Sequence, residues 1–563
     1  MTRRVLAHLA LILATLLMPL AAQAAGGGVV AAADPRAAEA GREILREGGS
    51  AADAAMAMML ALTVVEPQSS GIGGGGFFVY HDAATGLPAT IDGREKAPAS
   101  AGPNRFLRPD GSPMPFLEAW PGGYSVGVPG NVRLMARAHE RWGKLPWAAL
   151  FAPAIKLAEN GFDVTPRLHE WIGDTSRYTK WSDFPEISAL YLKDGAPAPV
   201  GTRLRNPALA ETLRMLAKEG PEAFYSGKIG TAITAAVAGT RRNPTALTAA
   251  DLAAYEAKDR AAVCGKYRGY KICGMGPPSS GAITNLQILG LLERFDMKAL
   301  GSSSPKAWHL IGEAMQLAYA DRSKYLGDAD FVAVPVPGLI DPAYLRARSQ
   351  LISPDRALGK YEPGTPPGAP KRTAASPGER GGTTHFVAVD AAGDIATMTS
   401  TVESGFGSQL IASGMVLNNE LTDFTFAPEQ EGAPVANSVA PGKRPLSSMS
   451  PTIVYAPDGK PVLALGSAGG KRIIMHVLKT LIGVIDWGLP ADQAIALPNI
   501  FYGGDGLMVE RGTTLSAMIP ALARFGQPVV AADLPSKLTI LQRDGDGWKG
   551  AADPRSEGVA LAQ

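Results

Sequence analysis

Apolar positions repeat along the chain in periods typical of both helices and strands. Residues 54–65 are apolar on every side and follow Ser50 and Asp53 in the spacing of a capping box, which predicts a buried helix. Further helices are predicted over residues 36–47, 306–325 and 472–487, and strands over 77–80, 385–389, 395–401, 415–417, 452–455 and 462–465. Residues 354–382 contain six prolines and few large apolar side chains, so they predict a solvated linker.

Composition narrows the class of protein. The 563 residues are 46% hydrophobic and 19% charged, which argues against disorder and coiled coil. A net charge of +2 gives no basic footprint for nucleic acid. Two cysteines and seven scattered histidines form no zinc-binding pattern. The sequence therefore predicts a large globular protein, and most simply an enzyme.

The first residues resemble a secretory signal. Arg3 and Arg4 precede an apolar run, and Ala22-Gln23-Ala24 has the small-x-small form of a cleavage site. A membrane anchor is the alternative, but the run of about 16 apolar residues is short for a span. We expect residues 1–24 to be a cleaved signal peptide, and the mature chain to be periplasmic or secreted without a membrane span.

Three short motifs fit known patterns but stand in the wrong context. Gly71 to Gly76 fits GxGxxG but follows a helix and precedes a strand, the reverse of a dinucleotide site. Gly123 to Gly127 fits GxSxG but is flanked by Pro-Gly pairs instead of a strand and a helix. Gly469-Gly470-Lys471-Arg472 lacks the spacing and the hydroxyl residue of a P-loop.

Thr383 is the first residue of a predicted strand and follows the linker that ends at Gly382. A hydroxyl here becomes an N-terminal nucleophile if the preceding peptide bond breaks, because the freed α-amine can act as its base. The plainer alternative is that it only begins a strand. A three-residue turn over 391–393 pairs the next two strands so that Thr383 lies opposite Thr401.

Cys264 and Cys273 are placed opposite each other by a predicted hairpin whose turn is Arg268-Gly269. An oxidising compartment would let them form a disulfide. Two buried free thiols are the alternative, since Arg-Gly is not a favoured turn pair.

These stretches together resemble the γ-glutamyltransferase (γ-glutamyl transpeptidase) family of the N-terminal nucleophile hydrolase superfamily. The resemblance rests on motifs across almost the whole chain: Glu66-Pro67-Gln68-Ser69-Ser70 with the following glycines, Asp92-Gly93-Arg94-Glu95, Asp321-Arg322-Ser323-Lys324-Tyr325, Thr383-Thr384-His385, Asn418-Asn419 and Lys443 to Pro451.

The resemblance implies an α+β fold, a four-layer αββα sandwich, made as a precursor that cuts itself between Gly382 and Thr383. The large subunit would be residues 25–382, ending in the linker over about 354–382, and the small catalytic subunit residues 383–563. The two would form a heterodimer. No metal or organic cofactor is implied.

The resemblance also assigns site residues. Thr383 matches the nucleophile, Thr401 its hydrogen-bonding partner, and Gly469 and Gly470 the oxyanion hole. The substrate α-carboxylate would bind Arg94 with Ser447 and Ser448, and its α-ammonium Glu403, Glu420 and Asp423. The expected substrates are a γ-glutamyl donor such as glutathione, with water or an amino acid or peptide as acceptor.

Two departures concern specificity. Glu403 stands where many close relatives carry Asn, and residues 424–444 are short for a lid loop and contain no tyrosine. We therefore expect hydrolysis to exceed transfer and bulky donors to be tolerated. A related acylase of glutaryl or cephalosporin side chains is the nearest alternative function, and a non-catalytic periplasmic binding protein is a more distant one.

Overall fold

The computed structural model describes residues 27–375, 381–503 and 506–563. The expected signal peptide lies outside the described residues. In chain order, the strands of the two large sheets are β1 Val29–Ala32, β2 Gly75–Asp82, β3 Leu87–Gly93, β4 Lys258–Arg260, β5 Val263–Tyr267, β6 Tyr270–Gly274, β7 Gly382–Val389, β8 Ile395–Glu403, β9 Thr452–Tyr455, β10 Pro461–Gly466, β11 Thr539–Asp544, β12 Gly547–Ala552 and β13 Val559–Ala562.

The helices of eight residues or more are α1 Pro35–Arg46, α2 Ala51–Val65, α3 Asn131–Trp142, α4 Ala152–Asn160, α5 Pro166–Thr179, α6 Pro207–Glu219, α7 Lys228–Gly239, α8 Gly281–Leu292, α9 Pro305–Tyr325, α10 Pro342–Ser349 and α11 Ile473–Ile485. Short strands form small separate sheets: Phe162–Asp163 with Arg203–Leu204, Leu192–Lys193 with Ala196–Pro197, Ile411–Ala412 with Met415–Val416, Glu429–Gln430 with Ala433–Pro434, and Ile500–Tyr502 with Leu507–Glu510 and Val529–Ala532.

The two large sheets stack face to face. The first has the strand order β13-β1-β7-β8-β2-β3-β4, and the second β12-β11-β10-β9-β6-β5. Side chains alternate across each strand. On β7, Val387 and Val389 face the second sheet, whereas Phe386 and Ala388 face the helices α1 to α3.

The second sheet is covered in the same way. Ile453 and Tyr455 of β9 point toward the first sheet, and Val454 between them packs with α8, α9 and α11. The three apolar clusters therefore separate four layers, helices, sheet, sheet and helices. This is the αββα sandwich that the family resemblance implies.

The helix predicted from residue 54 is α2, which begins three residues earlier than the apolar run. Ser50 accepts a hydrogen bond from the Asp53 N–H, and Asp53 accepts one from the Ser50 N–H, so the capping box is present. All fifteen residues of α2 are buried. Of the described residues, no helix is long and apolar enough to cross a membrane.

The proline-rich segment has no helix or strand over residues 354–375, in agreement with the prediction. It is nevertheless held against α9. The Gly364 N–H donates to Asp321 at 2.7 Å, and the Tyr361 hydroxyl donates to Glu313. Residues 361–364 are therefore fixed against α9 by these hydrogen bonds.

The β5–β6 hairpin has the predicted register, with Cys264 opposite Cys273. Arg268 and Gly269 form its turn with φ values of 50° and 84°, the left-handed pair that a two-residue hairpin turn requires. The structure joins the two cysteines in a disulfide, and their Cα atoms lie 4.2 Å apart.

Candidate active site

Two threonine hydroxyls meet at the start of β7. Thr383 pairs with Thr401 of β8, as the turn arithmetic predicts, and their Oγ atoms are 3.2 Å apart. The Thr401 hydroxyl donates to the carbonyl oxygen of Gly382 at 2.8 Å. Because a hydroxyl has one proton, the Thr383 hydroxyl must donate to Thr401. Thr383, the candidate nucleophile, is therefore hydrogen-bonded to Thr401, and Thr401 also polarises the Gly382 carbonyl.

Residue 382 must be glycine because the backbone of Glu403 lies too close to leave room for a side chain. A Cβ built there would lie 2.4 Å from the carbonyl oxygen of Glu403, closer than real Cβ atoms approach. The pairing of β7 with β8 also has a bulge between Gly382 and Thr383. A side chain at residue 382 would push the carbonyl away from Thr401.

Gly469 and Gly470 connect β10 to α11. Their φ values of 136° and 59° lie in the region that favours glycine, and a short 3-10 turn over Gly470–Arg472 follows. Within the described chain, neither backbone N–H has an acceptor. A Cβ built on Gly381 would lie 3.2 Å from Gly469, so the residues before Thr383 run beside this loop. Two outward N–H groups at a helix start can hold a developing oxyanion.

His476 supports this loop and was missed by the sequence reasoning. Its Nδ1 lies 3.0 Å from the Ser467 hydroxyl and 3.2 Å from the Ala468 carbonyl oxygen, so Nδ1 carries the proton. Burial lowers the pKa of His476 well below its usual value, which keeps the ring neutral. The signal for it was a histidine near the start of a largely apolar helix that directly follows a glycine-rich turn.

Arg94 is buried and ion-paired. Its guanidinium donates to Glu420 and, at 2.5 Å, to Asp423, and also to the carbonyl oxygens of Pro445 and Leu446. The expectation placed Arg94 and the two carboxylates at opposite ends of a substrate. The structure brings them into direct contact, since a buried guanidinium without a counter-charge costs several kcal/mol.

Glu403 lies beside this cluster with a φ of 77°, which is rare for a residue other than glycine. Its carboxylate accepts from the Ser404 hydroxyl and, at 3.0 Å, from the Asn419 amide. Such a backbone conformation persists where the surroundings hold it, and Glu403 lines the same small cavity as Thr383.

Ser447 and Ser448 line the same small cavity as Thr383. Ser448 accepts a hydrogen bond from Arg322 at 2.7 Å, and Ser447 accepts one from the Met449 N–H at 3.1 Å. A serine hydroxyl can both accept and donate, so these side chains are chemically suited to an anionic ligand.

Glu95 is a second residue that the sequence analysis did not assign to the site, although it belongs to the motif that contains Arg94. It is fully buried, next to the carboxyl group of Glu420. Burial raises the pKa of Glu95, and raises the pKa of Glu420 well above its usual value. The Arg94 guanidinium opposes both shifts, so in this cluster its attraction works against burial and against the repulsion between neighbouring carboxyl groups.

Thr383 lies at the boundary of two cavities. The smaller one, with room for about one water molecule at 20 Å³, is lined by the predicted substrate-binding residues Arg94, Glu403, Glu420, Asp423, Ser447 and Ser448 together with Thr401 and Gly470. The larger is a cleft of about 640 Å³ that includes Gly469 and Arg472. Over the described ranges, no group of His, Cys, Asp and Glu side chains could hold a metal ion.

Comparison with known proteins agrees with this geometry. The profile of the family described as Gamma-glutamyltranspeptidase matches residues 37–563. The chain is 37% identical to a glutathione hydrolase proenzyme of Bacillus subtilis over 86% of this chain and 83% of that one. It is 38% identical to a glutathione hydrolase proenzyme of Escherichia coli over 85% and 82% of the two chains.

A solved structure extends the likeness to the fold. The cephalosporin acylase from Bacillus halodurans matches with a TM-score of 0.83 and 28% identity, over 95% of each chain. The family profile covers more than nine-tenths of the present chain. The chain belongs to the gamma-glutamyltranspeptidase family and is an enzyme that acts on γ-glutamyl groups.

Proposed function

We propose that the protein is a self-cleaving γ-glutamyl hydrolase and transferase whose nucleophile is Thr383. One observation carries this proposal: the Thr383 hydroxyl, the Thr401 hydroxyl and the Gly382 carbonyl form one hydrogen-bonded group beside the Arg94 cluster. The glutathione hydrolase proenzymes among its relatives support glutathione or a similar γ-glutamyl compound as the donor.

Maturation begins when the Thr383 Oγ attacks the carbonyl carbon of Gly382. The hydrogen bond from Thr401 stabilises the negative charge on the carbonyl oxygen. The C–N bond breaks, the Thr383 amine takes the proton, and an ester joins Gly382 to the Thr383 Oγ. Water then hydrolyses the ester. The products are a large subunit ending at Gly382 and a small subunit beginning at Thr383.

Catalysis uses the amine that maturation frees. With a pKa of about 8, it can take the proton of the Thr383 hydroxyl near neutral pH. The Thr383 Oγ attacks the γ-carbonyl of the donor, and the oxyanion accepts from the Gly469 and Gly470 N–H groups. The leaving amine takes the proton as the C–N bond breaks. Water or an acceptor amine then attacks the γ-glutamyl ester.

The donor's α-amino acid end binds by replacing the internal ion pair. Its carboxylate takes the place of Glu420 and Asp423 on Arg94, with Ser447 and Ser448 as further donors. Its ammonium then pairs with the displaced carboxylates and with Glu403. A zwitterion neutralises both sides at once, so neither charge is left buried and alone.

A glutaryl acylase is the second candidate function, because the structure matches a cephalosporin acylase over nearly its whole length. A glutaryl group lacks the ammonium. Its carboxylate would displace Glu420 and Asp423 from Arg94 and give those side chains no new counter-charge. The geometry therefore favours γ-glutamyl donors.

The test compares Thr383→Ala with wild type by mass spectrometry and by hydrolysis of a γ-glutamyl anilide. We expect wild type to be two chains and active, and Thr383→Ala to be one chain and inactive. Thr384→Ala is the matched control, because the Thr384 hydroxyl is buried one residue away and has no hydrogen-bond partner among the described residues. A Thr383→Ala protein that is processed and active would contradict the mechanism. If wild type hydrolyses a glutaryl anilide as fast as the γ-glutamyl anilide, the acylase function is favoured instead.

The expected cellular location is also a proposal. A periplasmic or secreted enzyme fits the signal-like residues 1–24 and the disulfide between Cys264 and Cys273, a bond that persists in oxidising compartments. N-terminal sequencing of the large subunit from a periplasmic extract tests it. A first residue near Ala25 is the expected result, and recovery from the cytoplasm with Met1 intact would contradict it.

A further inference from the structure

In the function described so far, the larger cleft at Thr383 serves only as the route by which substrate reaches the nucleophile. The smaller cavity holds the α-amino acid end of the donor, so the atoms beyond the scissile bond must extend to the other side of Thr383. That side is the cleft of about 640 Å³. The leaving group occupies it in the first half of the reaction and the acceptor in the second.

The wall of the cleft next to the oxyanion loop is basic. Arg472 lies two residues after Gly470 and lines the cleft with Lys471. Among the described residues its side chain makes one hydrogen bond, from Nε to the Gly469 carbonyl oxygen at 3.5 Å, and no carboxylate lies within 4.0 Å of its guanidinium. Burial lowers the pKa of Arg472, so its charge is partly removed from water without a counter-charge.

The other basic groups of the cleft are differently placed. Lys537 is already neutralised by Glu66, with Nζ 3.0 Å from one carboxylate oxygen, and it also donates to Ser69. Arg167 belongs to α5, where its guanidinium lies 6.0 Å from the centre of the Trp171 ring. Arg472 comes after Lys471 at the end of the oxyanion loop, which places it on the cleft wall next to that loop.

We propose that Arg472 binds the terminal carboxylate of the peptide that occupies this cleft as leaving group or as acceptor. The inference rests on the proposed γ-glutamyl transfer and adds one specificity-determining residue, which would favour peptides with a free carboxylate over their amides. A guanidinium binds a carboxylate through two parallel hydrogen bonds, which gives direction as well as affinity.

The cleft also has room for more than one residue. It shares Lys471 and Phe501 with an adjoining cavity of about 600 Å³ that is lined by Tyr319, Tyr361 and Tyr502. Apolar and aromatic surface of this kind accommodates side chains without demanding one sequence. The contact with Arg472 therefore recognises the terminal carboxylate of the peptide. The aromatic wall accepts different side chains next to that carboxylate.

The experiment uses three donors and the processed enzyme: a γ-glutamyl dipeptide, the same dipeptide with a C-terminal amide, and a γ-glutamyl anilide. We expect wild type to prefer the acid over the amide by about tenfold or more in kcat/KM, since a charged hydrogen-bonded pair is lost in the amide. In Arg472→Gln the ratio of the two should fall to about one, and in Arg472→Lys it should be intermediate. Arg524→Gln, an exposed cation outside both cavities, should keep the wild-type ratio.

Each alternative result is decisive. Equal turnover of acid and amide by wild type overturns the inference without any variant. An Arg472→Gln protein that loses activity on both donors equally shows that Arg472 only positions the oxyanion loop. Failure of wild type to hydrolyse the anilide and both peptides overturns the proposed function itself, whereas anilide hydrolysis without a carboxylate preference overturns this subsite alone.

Discussion

The Thr401 hydroxyl forms hydrogen bonds with three neighbours through one oxygen. It donates to the Gly382 carbonyl at 2.8 Å and accepts from the Glu403 N–H at 2.8 Å, while the Thr383 hydroxyl lies 3.2 Å away. The N–H bond from Glu403 and the strand pairing fix its position. Thr401 is therefore oriented for the bond-breaking step of maturation before that step begins.

Thr401→Val should slow self-cleavage about 10²- to 10³-fold, the usual cost of removing one donor to an oxyanion. Valine keeps the shape and the β-branch and removes only the hydroxyl. Thr401→Ser should retain most of the rate because it keeps the donor. The measurement is the appearance of the two subunits over time on a denaturing gel, and cleavage of Thr401→Val at the wild-type rate would contradict this role.

The sequence predicted part of this site correctly because some of its residues are close together in the chain. Thr383 and Thr401 are separated by one hairpin, so counting residues through its turn gives their pairing. Arg94 and Glu420 are 326 residues apart, and only the assembled fold shows that they touch. The family resemblance named both residues, but it could not reveal that they bind each other in this structure.

At the scale of elements, α11 links the oxyanion loop to the core. Lys479 lies in its middle, fully buried, and donates to the carbonyl oxygens of Ile495 at 3.1 Å and of Leu497. Burial, together with the nearby Arg555, lowers the pKa of Lys479 to about 7, although Asp553 and Glu510 oppose the shift. The amine is neutral in the folded protein well below the pH at which it is neutral in the unfolded chain.

This shift predicts a stability that rises with pH. Between about pH 7 and pH 10 the unfolded chain binds one more proton at Lys479 than the folded protein does, so the free energy of unfolding gains up to about 1.4 kcal/mol per pH unit from this group. Lys479→Met removes that gain. The Tm of wild type relative to Lys479→Met should therefore increase from pH 7 to pH 9.5, whereas exposed Lys549→Met should run parallel to wild type. Parallel profiles for Lys479→Met would contradict the shift.

The helices and strands were predicted better than their ends. The helix expected over 472–487 is α11, Ile473–Ile485, and the strand expected over 385–389 is β7, which begins at Gly382. Residues 382–384, which precede the predicted strand, show no alternation of apolar and polar side chains that would predict a strand. They are strand because β8 pairs with them, a tertiary effect that periodicity cannot show.

At the scale of the whole molecule, the expected cleavage point lies inside one continuous core. In the first sheet, β7 from the expected small subunit pairs with β1 from the large one, and β8 pairs with β2. In the second sheet, β9 pairs with β6 across the same boundary. Cutting before Thr383 breaks none of these pairings, so the two products should remain one folded heterodimer.

The whole fold also shows where residues 424–444 lie, the segment that is short for a lid loop. Phe424 is buried in a small apolar cluster with Phe106, and Phe426 stacks on Phe106 with 4.4 Å between ring centres. The exposed hairpin Glu429–Gln430 with Ala433–Pro434 follows. Throughout the described chain, no residue between 424 and 446 lines either cavity at Thr383. The aromatic side chains that could cover the site are instead anchored away from it.

Hydrolysis should therefore exceed transfer, and bulky donors should be tolerated. A lid that closes over an acyl-enzyme excludes water, and without one the γ-glutamyl ester on Thr383 stays accessible to solvent through the large cleft. We expect free glutamate to be the main product from a γ-glutamyl anilide even with a dipeptide acceptor present, as measured by chromatography of both products. Inserting an aromatic-rich loop between Glu431 and Gly432, at the tip of the exposed hairpin, should raise the share of transfer product, whereas the same insertion at the exposed turn residue Gly545 should not. A wild-type enzyme that yields mostly γ-glutamyl dipeptide would show that water is excluded by some other part of the fold.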